Sequence, residues 1–238
     1  MTAAVAERSR VLNALDAVRD PELDEPITTL GFVSSCVVSA AGDVVVRLRL
    51  PTYFCAPNFA FLMVADAYDV VSALPEVRSA DVALEDHFAS AEINAGVAAR
   101  AGFAVSFAGE ALGELDELRR TFLSKAVLAG TDQVCRPLLA AGLDPAALTT
   151  MTLGQTPPSA QLDRLCRRRA ELGLRADPAA PLLVDPGTGD PITGAAVSLH
   201  LSKARTSRVG IEANTGICRG MLRHRYGTTG AGEEEDEE

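Results

Sequence analysis

The seven residues from Val44 to Leu50 alternate without a break: Val44, Val46, Leu48 and Leu50 fall on one face, and Val45, Arg47 and Arg49 on the other. This is the period-two signature of a half-buried strand, which needs a neighbouring strand and a covering layer. A neighbour precedes it. Phe32 to Ser39 is a second β-rich run, and Ala40-Ala41-Gly42-Asp43 between the two predicts an antiparallel hairpin.

The cover is helical. Val11, Leu12, Leu15 and Val18 recur at helical spacing, and Asp20-Pro21 predicts that this first helix ends near Arg19, because a residue before proline avoids the α region. After the hairpin, Pro57 suits a first helical turn, and Phe59, Leu62, Met63, Val70 and Leu74 mark the buried face of a helix ending before Pro75. Glu76 to Leu84 reads as a third strand, Glu85-Asp86-His87 as a polar stretch, and Ser90 as the start of an alanine-rich helix. Helix, hairpin, helix, strand, helix predicts a small α+β domain over residues 1–109.

Past Gly109 the pattern turns helical, predicting a mainly helical region over residues 110–227. Leu112, Leu115, Leu118, Phe122, Leu123 and Val127 form its first apolar stripe, with a break expected at Gly130 or Pro137. Thr156-Pro157-Pro158-Ser159 reads as a boundary or helix start. Leu162, Leu165 and Leu172 form the next stripe, and Arg164, Arg167, Arg168 and Arg169 around it read as a solvated face. Asp185-Pro186-Gly187-Thr188-Gly189-Asp190-Pro191 is a turn-rich loop, followed by an ordered segment from about Gly194 to Gly227. Residues 228–238 read as a disordered acidic tail ending in six carboxylates, either a polyanion mimic, a contact for a basic partner or a solubilising end.

Composition removes several function classes. A chain of 238 residues that is 47% hydrophobic can bury a full core, yet no apolar run approaches the roughly 20 residues of a membrane span. Without a basic-flanked apolar start, the expected location is the cytoplasm and no membrane partner is expected. Five cysteines, Cys36, Cys55, Cys135, Cys166 and Cys218, lie far apart with no CxxC pair, which predicts reduced thiols rather than a disulfide framework. Residues 1–109 hold 7 basic against 14 acidic side chains, and tryptophan is absent, so a nucleic-acid partner is not expected. Gly187-Thr188-Gly189 lacks the Gly-Lys-Ser/Thr of a phosphate loop, and no Gly-x-Ser-x-Gly elbow exists.

Cys55 carries the chemistry. It lies in Pro51-Thr52-Tyr53-Phe54-Cys55-Ala56-Pro57, between the alternating strand and the first turn of the next helix. N–H groups at a helix start carry partial positive charge, which favours a thiolate there as nucleophile or soft-metal ligand. The alternative is a small packed hydrophobe, which is also the reading for Cys36, Cys135 and Cys166. Cys218 with His224 offers zinc or iron ligands at an awkward spacing of six. His87 is the histidine that could approach Cys55 in space as a Cys-His pair. Lys203, Arg205, Arg208, Arg219, Arg223 and Arg225 could hold a phosphate, the acidic tail or an acidic client, or form a solvated helix face.

Asp20-Pro21-Glu22, Thr29-Leu30-Gly31-Phe32-Val33 and the Thr52 to Pro57 stretch together resemble the MIP18-like (DUF59) family over about residues 8–100. That family includes the PaaD protein of phenylacetate ring-hydroxylation systems and the SufT maturation factors. The resemblance implies a small α+β fold and a part in iron-sulfur cluster assembly, as an accessory maturation factor rather than an enzyme. It implies functional weight on Asp20, Thr52 and Cys55, with Glu22 weaker and Cys55 as the metal ligand. The cofactor would be iron or an iron-sulfur cluster, held transiently, and the partner a client metalloprotein such as a multicomponent oxygenase. This chain departs from the family in two places: Ala56 separates Cys55 from Pro57, where the family has Cys followed directly by Pro, and compared with the PaaD-like version one residue is missing between Tyr53 and Cys55. One cysteine is too few for a closed site, so holding a cluster needs a second protomer, as in a homodimer, a client ligand or another cysteine. The alternative function is a metal-free interaction module that docks the subunits of a multicomponent enzyme.

Overall fold

The computed structural model describes residues 3–103 and 114–227. The expected boundary at Gly109, the residue Leu112 and the acidic tail at 228–238 lie outside them. The chain divides into two units. One is built from Met1–Asp20, Glu25–Leu115 and Thr215–Glu238, the other from Pro21–Asp24 and Asp116–Asn214. Among the described residues no helix is long and apolar enough to cross a membrane.

The first unit contains the expected order of α+β elements, though its bounds differ from residues 1–109, since it takes in the end of the last helix and leaves out Pro21–Asp24. Its elements are α1 (Ala3–Leu15), β1 (Arg19–Asp20), β2 (Glu25–Pro26), β3 (Val33–Val38), β4 (Asp43–Arg49), α2 (Pro57–Ser72), β5 (Ser79–Glu85) and α3 (Ser90–Ala98). β3 and β4 form the antiparallel hairpin, and β5 adds to β4 in parallel, with Val46 opposite Val82 and Leu48 opposite Leu84. A parallel pair needs a crossover, and α2 provides it. The alternating strand behaves as its pattern requires: Val44, Val46, Leu48 and Leu50 are buried, as are Val82 and Leu84 of β5. α2 and α3 pack on β5, and α1 packs on β3 and α2.

Two details position the loops at the end of this sheet. Asn94 on α3 accepts from the Leu84 amide at 2.8 Å and donates to the Leu84 carbonyl at 3.0 Å, so a side chain pairs both backbone groups of Leu84 on edge strand β5. The first helix ends at Leu15, short of the expected Arg19. Arg19 and Asp20 instead form β1, paired antiparallel with Glu25 and Pro26, and the Ile27 amide donates to the Val18 carbonyl at 3.0 Å. Pro21 holds Asp20 in an extended conformation, and the two-residue ladder captures that conformation.

The second unit is helical, with α4 (Glu114–Ala140), α5 (Ala160–Glu171) and the first part of α6 (Ala196–Tyr226) around Val127, Val134, Leu148, Leu165, Leu182 and Leu183. The break expected at Gly130 or Pro137 is absent, since α4 runs through both. Gly130 lies where a Cβ would come within 3.3 Å of Leu165, so its missing side chain serves close approach of α4 and α5. Pro137 lies in the last turns of α4, where it removes one helical hydrogen bond without ending the helix. Ser159 caps α5 by accepting from the Leu162 amide at 3.2 Å, as the proline-rich boundary predicts.

The arginines of α5 form the expected solvated face only in part: Arg167 is exposed and Arg164 half-buried, whereas Arg168 and Arg169 are buried. Arg168 donates to Asp24 and Glu171, and Arg169 is 0% exposed. Arg169 donates to the carbonyls of Pro181 and Leu182, closing a segment without regular structure, and burial pulls its guanidinium down to about 10. An unpaired carbonyl inside an apolar core is costly, and a planar fork of donors can serve two at once. The Gly187-Thr188-Gly189 loop is also self-contained: the Asp185 carboxylate accepts from the Gly187 and Thr188 amides at 2.8 and 3.1 Å. Amides that would cradle a phosphate are already paired.

Two outcomes follow. Arg169→Met leaves the Pro181 and Leu182 carbonyls unpaired and lowers stability by about 2–4 kcal/mol in urea unfolding. His200 is buried, and its Nε2 has no hydrogen-bond partner among the described residues. Burial, with Arg169 and Lys203 nearby and Asp185 opposing, holds its pKa below the usual 6.5. The unfolded chain therefore binds this proton more readily. Stability is fully present above pH 6.5 and declines as pH falls below it. Urea midpoints between pH 7.5 and 5 should show this fall, and His200→Phe should flatten it.

Candidate functional site

The parallel pairing of β4 with β5 brings two loops together at the carboxyl ends of these strands. Residues 50–56 lead from β4 into α2, and residues 86–89 lead from β5 into α3. Carboxyl ends of parallel strands, where the following helices begin, are common ligand sites.

Cys55 sits two residues before α2, whose N-cap Ala56 has an extended backbone and offers no capping side chain. The helix start is therefore not closed by a polar side chain of its own N-cap. Cys55 is half-buried, and its Sγ lies 3.2 Å from Thr52 Oγ1. The same hydroxyl oxygen accepts from the Phe54 amide at 3.2 Å, fixing the rotamer that faces the sulfur. The structure thus brings Thr52 and Cys55 into direct contact. Asp20 is buried on β1, the strand that packs against α2. Glu22 accepts from the Asn214 side chain at 3.1 Å, a contact that fits a structural role.

His87 does approach Cys55, but at the backbone. Its ring is buried, and Nε2 lies 2.7 Å from the Cys55 carbonyl while Nδ1 lies 3.2 Å from the Ala89 amide. An amide only donates and a carbonyl only accepts, so Nδ1 is the acceptor and Nε2 carries the proton. With both nitrogens engaged, His87 positions Cys55 and does not serve the thiol as a base. A second bond ties the loops, from the Phe88 amide to the Tyr53 carbonyl at 3.2 Å.

The far end of α6 completes the frame. Arg225 donates to the Leu50 carbonyl at 3.2 Å and to the Asp86 carbonyl at 2.7 Å, joining the two loops through one guanidinium. Tyr226 donates to the Asp86 carboxylate at 2.9 Å, and the Arg49 guanidinium lies over the Tyr226 ring at 4.4 Å. Asp86 has φ +53, a left-handed conformation these contacts hold in place. The basic cluster expected on this segment is thus divided. Arg208 pairs with Asp132 and Glu212, Arg219 with Glu25, and Arg225 with the loops, leaving Lys203, Arg205 and Arg223 exposed.

The other cysteines separate by environment. Burial raises the thiols of Cys36 and Cys166, and pushes Cys135 up to about 12 with the help of Asp132. These three fit the packing reading. Cys218 is half-buried on α6. Among the described residues no group of three or more His, Cys, Asp or Glu side chains is placed to hold a metal ion. Cys55 with Thr52 can therefore supply one sulfur and one oxygen to an incoming ion or cluster, and the remaining ligands must come from elsewhere.

His87→Ala leaves the Cys55 carbonyl without its donor. Stability should fall by about 1–3 kcal/mol in urea unfolding, and Cys55 should react faster with iodoacetamide as the loop loosens. Unchanged reactivity would remove His87 as the positioning residue.

Comparison with known proteins locates this arrangement. Residues 8–83 match the family model described as iron-sulfur cluster assembly protein. No curated protein matches the chain. Among solved structures, a domain of unknown function DUF59 from Bacillus anthracis is similar, with 28% identity over 34% of this chain and 76% of that one, at a TM-score of 0.33. The motifs around Asp20, Leu30-Gly31 and Cys55, which carry the resemblance to the MIP18-like (DUF59) family, lie within the matched residues.

Proposed function

We propose that this protein is an accessory maturation factor that carries iron or an iron-sulfur cluster transiently on Cys55 and delivers it to a client metalloprotein. The observation that carries the reading is the 3.2 Å contact between the Cys55 sulfur and the Thr52 hydroxyl at an uncapped helix start, inside an iron-sulfur assembly domain. A thiolate is the usual ligand of iron-sulfur clusters, and an adjacent hydroxyl tunes its donor strength. The donor set suits cargo rather than a resident cofactor. One sulfur can hold an ion or cluster edge but cannot enclose it, which keeps release possible. Asp20, buried on a strand that packs against α2, is assigned the support of that helix start. The helical second unit is assigned client recognition, with a multicomponent oxygenase as the client class.

A second reading keeps the domain and drops the metal: a docking module for the assembly of a multicomponent enzyme. The Ala56 insertion before Pro57 favours it, as does the lack of a closed ligand set among the described residues.

Anaerobic reconstitution with ferrous iron and sulfide, read by metal analysis and Mössbauer spectroscopy, separates the two. The carrier reading expects bound iron that falls to background in Cys55→Ala and is weakened roughly 10-fold in Thr52→Val, with Thr52→Ser close to wild type. Equal or absent iron in wild type and Cys55→Ala overturns it and leaves the docking module.

A further inference from the structure

Arg219, Leu222, Arg225 and Tyr226 lie on one face of the last turns of α6. Each meets the first unit at a different place. Arg219 donates to Glu25, just after Asp20-Pro21-Glu22 in the chain. A Cβ on Gly31 would come within 3.3 Å of the buried Leu222, so the Leu30-Gly31 turn seats the helix. Arg225 donates to the Leu50 carbonyl, immediately before Pro51-Thr52. The stretches that carry the family resemblance are thus tied, at or beside each of them, by one helix end, and that end lies outside residues 8–83.

The Arg225 guanidinium stands where the ladder between β4 and β5 stops. Their register ends with Arg49 opposite Glu85, so Leu50 and Asp86 are the first residues past it. The two carbonyls accept from Arg225 at 3.2 and 2.7 Å, and one planar fork bridges the strand ends. From there its hold divides. On one side Leu50 leads through Pro51 to Thr52, whose hydroxyl meets the Cys55 sulfur at 3.2 Å. On the other, Asp86 leads to His87, which donates to the Cys55 carbonyl. Asp86 is left-handed at φ +53, and Arg225 and Tyr226 reach its carboxylate at 2.6 and 2.9 Å. A strained residue keeps its conformation only where its surroundings over-determine it. The rings of Phe54 and Phe88, 5.9 Å apart, also join the loops, but at 76% and 48% exposure their contact is open to competition from water.

Building on the carrier reading, we propose that Arg225 and Tyr226 are positioning residues of the thiol site: from the end of α6 they set the geometry in which Thr52 meets Cys55, and so the form in which the sulfur is offered to cargo. They act through other residues. Arg225 reaches the Thr52 hydroxyl by way of Leu50, and the Cys55 backbone by way of Asp86 and His87. Tyr226 adds to the second route by fixing Asp86. The apolar core of this unit, with Val46, Leu48, Val82 and Leu84 buried in it, is built from other side chains. Loss of either residue therefore loosens the two loops and leaves the fold standing.

The test is the rate at which iodoacetamide alkylates Cys55 in the full chain, metal-free and reduced, read by peptide mass spectrometry. Cys166, half-buried on α5, is the reference thiol in the same molecule. Arg225→Ala should speed Cys55 at least about 5-fold and leave Cys166 unchanged, and Tyr226→Phe should act in the same direction by less. A double-mutant cycle separates positioning from general loosening. Thr52→Val should change the Cys55 rate in the wild-type background and lose most of that effect in the Arg225→Ala background. Circular dichroism checks the fold, and should Arg225→Ala not fold, Tyr226→Phe, which removes a single hydroxyl, carries both measurements. An unchanged Cys55 rate in the folded variants, Cys55 and Cys166 rising together, or equal effects of Thr52→Val in both backgrounds overturns the proposal. These rates are read without iron, so the two readings fail separately. Iron absent from wild type sinks the carrier reading and leaves the positioning of Cys55 standing, whereas Cys55-dependent iron beside a thiol indifferent to Arg225 and Tyr226 sinks this inference alone.

Discussion

The site depends on the parallel register between β4 and β5. Asp43 opposite Ser79 through Arg49 opposite Glu85 means that both strands finish at the same level, so the loops that follow them emerge side by side. A hairpin could not do this, because antiparallel neighbours end on opposite sides of a sheet. With the register set, His87 reaches the Cys55 carbonyl and Phe88 reaches the Tyr53 carbonyl. Arg225 then holds Leu50 and Asp86 together from the end of a long helix. The thiol rests on a frame of backbone contacts made by residues that do not themselves touch it.

This arrangement explains why Cys55 differs from Cys36, Cys135 and Cys166. Cys36 and Cys135 are hidden by the packing of a strand and a helix, Cys166 is half-buried on α5, and burial disfavours the charged form of all three. Cys55 lies in the short passage between a strand and a helix, anchored through its carbonyl, which leaves the side chain half-open beside a hydroxyl. The backbone is held while the sulfur stays half-open, which is the property the proposed carrier role calls for.

The second unit solves a different problem by related means. Its connections between helices are long, and a chain without regular structure carries many carbonyls into the interior. Arg169 pairs two of them, while Asp185 pairs amides of the glycine loop. In both units a charged or polar side chain closes irregular backbone, and the regular elements supply the apolar contact.

Much of this was legible in the residues. Period-two alternation identified β4, the helical spacing around Phe59 and Leu62 identified α2, and the Asp-Pro-Glu, Leu-Gly and Thr-to-Pro motifs lie in the residues that match the family model and include Thr52 and Cys55, which the fold brings into contact. Local pattern carries such information because each strand or helix must bury one face, whatever its partner. Proline and arginine were misleading where tertiary contact overrode local preference. Pro21 predicted the end of a helix but not the small ladder at Arg19 and Asp20, Pro137 was absorbed in α4, and Arg168 and Arg169 of α5 turned inward to meet Asp24 and two carbonyls. The role of His87 as a donor to the Cys55 carbonyl, the hold of Arg225 on Leu50 and Asp86, and the meeting of Phe54 with Phe88 were decided only in three dimensions. They join residues 32 to 175 positions apart, and the pairing depends on strand register and helix placement, which no local spacing encodes.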